Sequence, residues 1–409
     1  MIVQINKVIF SNTFYQMAGK MVTSFLGFVC AALLARHLGV LGFGQYNLIY
    51  NFLGIFGIFS DFGLATLLIK EVAAKKADSK EIAGIFSLRI ILSFAFWGIS
   101  YLVLGFFPYS QEVKIGVFVA LAGHLFLGLS SIYWAIEQGQ LNFLRVVLIQ
   151  VFSSFLTTIL VILGTKSSAG LLFFVFAGVA GAVAGFWVSF CLGIKKMVLL
   201  NLKVYKIIIL KVWPIGLWAV VSTIYLKLDM VILSLFYPPD RFPDVGYYSA
   251  AFKYFEVMGV LFGFFQMTSY PVIASSLNEN NFLKVFSKIT KISYLLTIFG
   301  SFLLFVLVNP LILILGRNFV PAANSLRILS LAVGFSVLSG PWVSLAIAAE
   351  KQKKVLLNSF FALLISFSGN LIAIPRLSFI GASWIVVLTQ AFVALANWRI
   401  GKKIIGDEK

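Results

Sequence analysis

The chain has 409 residues, 61% of them hydrophobic and only 11% charged, with a formal charge of +18. Soluble domains carry roughly a quarter charged residues, so this composition excludes a water-soluble globular protein. The 32 basic residues are dispersed through short connections, which argues against a nucleic-acid surface. Two cysteines and two histidines are too few for a metal cluster.

Unbroken apolar runs of about 20 residues mark helical membrane spans, not barrel strands. Twelve spans are predicted, over residues 9–34, 44–67, 83–107, 114–136, 144–164, 170–193, 212–236, 246–273, 290–314, 327–349, 355–374 and 379–400. The first is too long for a signal-peptide core and no small-residue cleavage site follows it, so it is expected to stay in the mature protein. Cys30 and Cys191 fall inside spans and read as small buried hydrophobes. Basic residues collect on one side of the predicted topology, 21 against seven. That bias is expected to place both termini in the cytoplasm.

The connector 194–211 is the longest and most basic. It divides the chain into an N-terminal lobe, residues 1–200 with spans 1 to 6, and a C-terminal lobe, residues 201–409 with spans 7 to 12. GQYNLIYNF from Gly44 echoes GYYSAAFKY from Gly246, each opening the second span of its half. The closing pair of each half is joined by a glycine-marked turn, at Gly164 to Gly170 and at Ile374 to Gly381. Halves of equal, even span count share one orientation, as expected for parallel repeats.

A charge at the centre of a span costs about 2.5–3.5 kcal/mol on insertion scales, so it usually faces a bundle interior or a watery cavity. Lys20 lies deep in the first span, where Thr13, Gln16, Lys20, Ser24 and Gly27 fall on one stripe at 100° per residue. A snorkelling lysine has no use for such a stripe, so Lys20 and Gln16 are candidate substrate contacts. In the second span Asn47, Tyr50, Gly54, Gly57 and Asp61 share a face; Asp61 is either a local pairing group or an ion carrier. Arg89, early in the third span, is placed to reach the headgroups by snorkelling, with a substrate contact as the other reading.

Lys227 and Asp229 stand two positions and about 160° apart on the seventh span, so they cannot face one cavity together. Gly216, Thr223 and Ser234 lie with Lys227, the better candidate for substrate; Asp229 lies with Ser222 and Tyr225 and is either paired or ion-coupling. Lys253 and Glu256, three apart on the eighth span, are spaced for an intrahelical ion pair, with substrate binding and ion coupling as their alternative roles.

No phosphate-binding glycine loop, nucleophile elbow or dinucleotide fingerprint is present in the sequence, so an enzyme is not expected, nor a cofactor. Four intramembrane cations (Lys20, Arg89, Lys227, Lys253) against three anions (Asp61, Asp229, Glu256) suit an anionic head group such as a phosphate.

Several stretches together resemble one family: LARHLGVLGFGQYNLIYNFLGIFGIFSDFGLATLLIKEVA, YLKLDMVILSLF, VGYYSAAFKYFE, YPVIASSL, GRNFVPAANSLRILSLA and IPRLSFIGASWIVVLTQAF. Over almost the whole chain they are similar to the O-antigen and capsule repeat-unit flippases of the multidrug/oligosaccharidyl-lipid/polysaccharide exporter superfamily. The resemblance implies an all-α polytopic membrane protein, twelve transmembrane helices in two six-helix lobes around a central cavity, working by alternating access in a bacterial cytoplasmic (inner) membrane. It implies a polyprenyl-diphosphate-linked oligosaccharide as cargo, membrane lipids as surroundings and the polysaccharide polymerase machinery as a downstream partner. Coupling to H+ or Na+ through Asp61, Asp229 or Glu256 is the expected driving force, with polymerisation as the alternative pull. Within the superfamily, a drug or organic-cation antiporter would be expected to have an acidic cavity, and a peptidoglycan lipid-precursor flippase two further spans. A membrane glycosyltransferase would be expected to have a larger outer loop than any in this sequence. Gly39, Gly42 and Gly44 are candidate hinges.

Overall fold

A computed structural model describes residues 2–74, 79–193, 202–277 and 279–407. Among these residues no strand forms: in hydrocarbon the backbone must satisfy its own polar groups, and a helix does so within one segment. The helices are α1 (Ile2–Asp61), α2 (Leu64–Ala73), α3 (Ser79–Gly105), α4 (Gln111–Gly139), α5 (Phe143–Lys166), α6 (Leu171–Gly193), α7 (Leu202–Phe236), α8 (Asp244–Ser276), α9 (Phe282–Val306), α10 (Val308–Leu315), α11 (Ala322–Ala348) and α12 (Gln352–Asp407).

Ten described helices are long and apolar enough to cross a membrane, where the sequence predicts twelve spans. The difference lies in α1 and α12. Each runs two predicted spans together across a single kinked residue, Gly39 (φ 67°) in α1 and Ser378 (φ 49°) in α12. Their apolar parts, 48 and 55 residues long, far exceed the roughly 20 that one crossing needs. Pro375 precedes the second kink, and at Gly381 an added Cβ would meet the Ala373 carbonyl at 2.6 Å. The other predicted turn carries its left-handed residue at Ser168 (φ 54°). In both turns, then, a serine and not the marked glycine takes the positive φ.

The chain forms two compact units. The first comprises Met1–Leu38 and Gln45–Thr223, the second Gly39–Gly44 and Ile224–Lys409. Residues 202–223 of α7 thus group with the first unit. Of the predicted connector 194–211, residues 194–201 lie outside the described set.

In the first unit, α4 packs on α2, α3 and α6, and α5 packs on α6. Small residues let the helices approach: Ser153 donates a 2.6 Å hydrogen bond to the Gly181 carbonyl. A core of Leu64, Leu68, Ile85, Ile132, Ile208 and Val212 draws in the first turns of α7, where the buried Tyr205 hydroxyl donates to Ser87 Oγ at 2.8 Å.

In the second unit, α11 packs on α8, α9 and α12, around Ile273, Phe286, Trp342 and Leu345. The short segment 39–44 belongs here. Phe43 meets Phe319 edge-on, ring centroids 5.6 Å apart, and both are 1% exposed. Gly44 lies so close to Gly246 that an added Cβ would sit 2.8 Å from the Gly246 nitrogen. The two glycines that open the echoed stretches therefore touch.

Candidate functional site

Lys20 and Gln16 sit in the first half of α1, Lys20 exposed and Gln16 half-buried. Gly27, higher on the same stripe, has nothing within 4 Å of where a Cβ would stand, whereas Gly19, a quarter-turn away, lies directly on Val147. Lys20 and Gly27 on the stripe are thus uncovered, as are Phe14, Met21 and Phe25 on the opposite face of α1. The Thr13 side chain lies outside the described set. Among the described residues Lys20 makes no ion pair.

Arg89 does not snorkel. It is 4% exposed and forms an ion pair with Asp61 at the end of α1. The Asp61 side chain stays a quarter exposed, and its second oxygen accepts the Gly63 amide at 3.2 Å. That bond braces the break after α1, where Phe62 (φ 41°) and Gly63 (φ 80°) are both left-handed. Gly128 of α4 makes room for the guanidinium, since a Cβ there would lie 2.9 Å from Arg89 Nε. His124, one turn earlier, stands 3.4 Å from Ser60 Oγ. Sequence spacing gave no hint of this pair, because its members are 28 positions apart on different helices.

In the second unit Lys253 and Glu256 bond at 3.1 Å along α8. Lys227 of α7 is half-buried and, among the described residues, free of any ion pair. Its companions are not an open polar row: Ser234 is fully buried and turns its hydroxyl back to the Val231 carbonyl at 2.7 Å.

Asp229, 2% exposed, has no basic group at ion-pair distance among the described residues. Its partners are neutral donors, the Tyr248 hydroxyl and the Met230 amide at 2.7 Å. Beside it is a small cavity lined by Tyr225, Ser366, Thr389 and Gln390 together with apolar Leu226, Phe252 and Val386, with about the room one water needs. Ser366 donates weakly to the Tyr225 carbonyl at 3.4 Å, and Asn370 Nδ2 donates to the Ser366 carbonyl at 2.7 Å. Asn370 Oδ1 and Thr389 Oγ1 are buried without a hydrogen-bond partner among the described residues. An unpartnered buried polar atom calls for an explanation. Here α7 and α12 bring a carboxylate and several neutral oxygens round one small space, the donor set of a hard cation. Ser366, Asn370, Thr389 and Gln390 went unnoticed in the sequence because they are uncharged. Their signal was polarity inside apolar spans, with Ser366 and Asn370 one turn apart.

The chain shares its fold with solved transporters. Against the lipid II flippase MurJ in an inward closed conformation the TM-score is 0.77, at 16% identity over 97% of this chain and 90% of that one. An inward-facing multidrug-resistance MATE transporter of the MOP superfamily gives 0.71, at 14% identity over 97% and 95%. A MOP-superfamily transporter from Pyrococcus furiosus, described as having a binding pocket of reverse polarity, gives 0.66, at 13% identity over 98% and 96%. No curated protein sequence matches the chain. The protein is thus a multi-pass membrane protein whose fold is shared with solved transporters of the MOP superfamily. Residues 9–277 match the family described as Polysacc_synt, polysaccharide biosynthesis protein, and the chain belongs to that family.

Proposed function

We propose that the protein is a flippase that carries polyprenyl-diphosphate-linked oligosaccharide repeat units from the cytoplasmic to the outer leaflet by alternating access, for surface polysaccharide synthesis. The observation that carries this reading is the balance of intramembrane charge. Arg89 matches Asp61 and Lys253 matches Glu256, while Lys20 and Lys227 have no carboxylate partner among the described residues. Each is a cation on a membrane helix awaiting an anion, and a diphosphate crossing hydrocarbon needs one. The family's place in polysaccharide biosynthesis agrees with an oligosaccharide on that lipid.

Asp229 takes the ion-coupling role. With no basic group at ion-pair distance among the described residues, its charge is left to be met by a proton or a sodium ion, and the unpartnered Thr389 hydroxyl lines the cavity beside it. Asp61 and Glu256, each held by a cation of the protein, are the weaker candidates.

The test is translocation of a polyprenyl-diphosphate oligosaccharide by the purified protein in liposomes, with Lys20→Met beside the wild type. Transport by the wild type that falls at least tenfold in a well-folded Lys20→Met supports the reading. Full transport by the variant removes Lys20 from the site, and binding of organic cations in place of any lipid-linked sugar would move the protein to the drug-exporting branch.

A further inference from the structure

Helix α9 carries two opposed stripes. The inner one, running from Phe286 through Ser293 to Leu304, is buried. Ser293 donates to the Val337 carbonyl at 3.0 Å, and Phe286 packs edge-on against Trp342. The outer stripe begins with Lys284, Lys288 and Lys291, all exposed, and continues through Leu295, Ile298 and Phe302, which are 67%, 68% and 66% exposed. At 100° per residue these six side chains fall within about 80° of one another, on the side opposite the buried row.

The sequence places Lys284 and Lys288 in a connection ahead of a span beginning at 290 and Lys291 at its edge; the helix instead begins at Phe282 and holds all three in line. They cover about 10 Å of helix, comparable to the depth of one headgroup layer. Directly beyond them the same stripe turns wholly apolar. No carboxylate pairs with them among the described residues. The first unit differs in this respect, since there Lys211 spends its charge on Glu71 and Glu81. An orientation signal requires only basic residues on one side of the membrane. A row of three leading straight into a lipid-facing row matches, in addition, the two parts of one lipid: a negative headgroup and an acyl chain.

We propose that the outer stripe of α9 is a docking site for an anionic phospholipid, its phosphate held by Lys284, Lys288 and Lys291 and a chain lying along Leu295, Ile298 and Phe302. The site does not depend on what the protein transports.

The test titrates the delipidated, full-length protein with phosphatidylglycerol and with phosphatidylcholine, counting bound lipid by native mass spectrometry. The triple variant Lys284→Gln, Lys288→Gln, Lys291→Gln is compared with Lys351→Gln, Lys353→Gln, Lys354→Gln, which removes equal charge from exposed positions at the start of α12. A lysine near an anionic surface is worth about fivefold in affinity. The α9 variant is therefore expected to lose phosphatidylglycerol affinity by roughly a hundredfold, with phosphatidylcholine unchanged and the control variant within about fivefold of wild type. Equal losses in the two variants would reduce the effect to diffuse attraction and overturn the site. So would an unchanged α9 variant, or binding there of a polyprenyl diphosphate but not of phosphatidylglycerol.

Discussion

The two units bury a carboxylate in opposite ways. In the first, Asp61 meets a guanidinium that is itself almost wholly enclosed. In the second, Asp229 is more deeply buried than Asp61, yet its partners are a phenol and a backbone amide. A fixed cation cancels a buried charge permanently and ties two helices together. Neutral donors only soften it, and what remains of the charge must be met by something that comes and goes. The first arrangement ties helices together and the second leaves a carboxylate without a fixed counter-charge, the basis for the ion-coupling role proposed for Asp229, although the sequence presents both as single acids within apolar spans.

The largest expected effect breaks the first arrangement. Removing one member of a buried pair leaves the other stranded, at about 3–5 kcal/mol for a fully enclosed pair. Asp61→Asn strands Arg89, which water does not reach, and is expected near the lower end of that range because Asp61 itself is a quarter exposed. Arg89→Met strands the more accessible Asp61 and should cost less. The double variant should recover most of the loss. Thermal unfolding in detergent checks all three, and a double variant no more stable than Asp61→Asn would mean that the pair is not the unit of stability.

The second arrangement should respond differently. Asp229→Asn breaks no ion pair among the described residues and keeps an oxygen facing Tyr248, so its stability should stay within about 1.5 kcal/mol of wild type. Ion linkage is what it should lose. Wild type is expected to be stabilised by sodium or by acid, since a cation that binds only the folded state adds stability as its concentration rises. Asp229→Asn should show neither dependence, and its transport should no longer follow the ion gradient. A variant as unstable as Asp61→Asn would point to a fixed cationic partner and abolish the contrast between the units.

How much of this was legible beforehand follows from the range of each signal. Apolar length gave the helical membrane class, and i,i+3 spacing gave the Lys253 and Glu256 pair, because both are local. The Arg89 and Asp61 pair was not, since its members meet only once α1 and α3 pack. Arg89 read as a snorkelling residue because position along a span says nothing about which neighbour encloses it. Asp229 was visible as an anomaly, but Tyr248, Asn370 and Thr389 were not, being neutral and distributed over α8 and both halves of α12. The kinks that divide α1 and α12 each rest on one residue's φ, at Gly39 and Ser378, which hydropathy does not record.

The smallest expected effect lies outside the membrane core, where the first unit uses charge at its surface. Lys211, in the part of α7 ahead of its apolar span, reaches Glu81 at 2.8 Å and Glu71 at 3.1 Å, and so pins the start of α7 to α2 and α3. The hydrogen bond to Glu81, followed by that to Glu71 and the charge of both, raises the Lys211 pKa above the usual lysine value despite some opposing desolvation. A lysine whose pKa is higher folded than unfolded contributes stability that is fully present below its unfolded pKa and disappears as pH rises through the folded one. Lys211→Gln should therefore lower the melting temperature at neutral pH. The difference from wild type should shrink only above the ordinary lysine value of 10.5. Because the Lys211 side chain is 40% exposed, water and salt screen the pair, and the loss should be below about 1 kcal/mol and fade with added salt. A salt-independent loss of several kcal/mol would instead make this contact a buried one in function, and erase the distinction between a surface clamp here and the enclosed pair of Asp61 and Arg89.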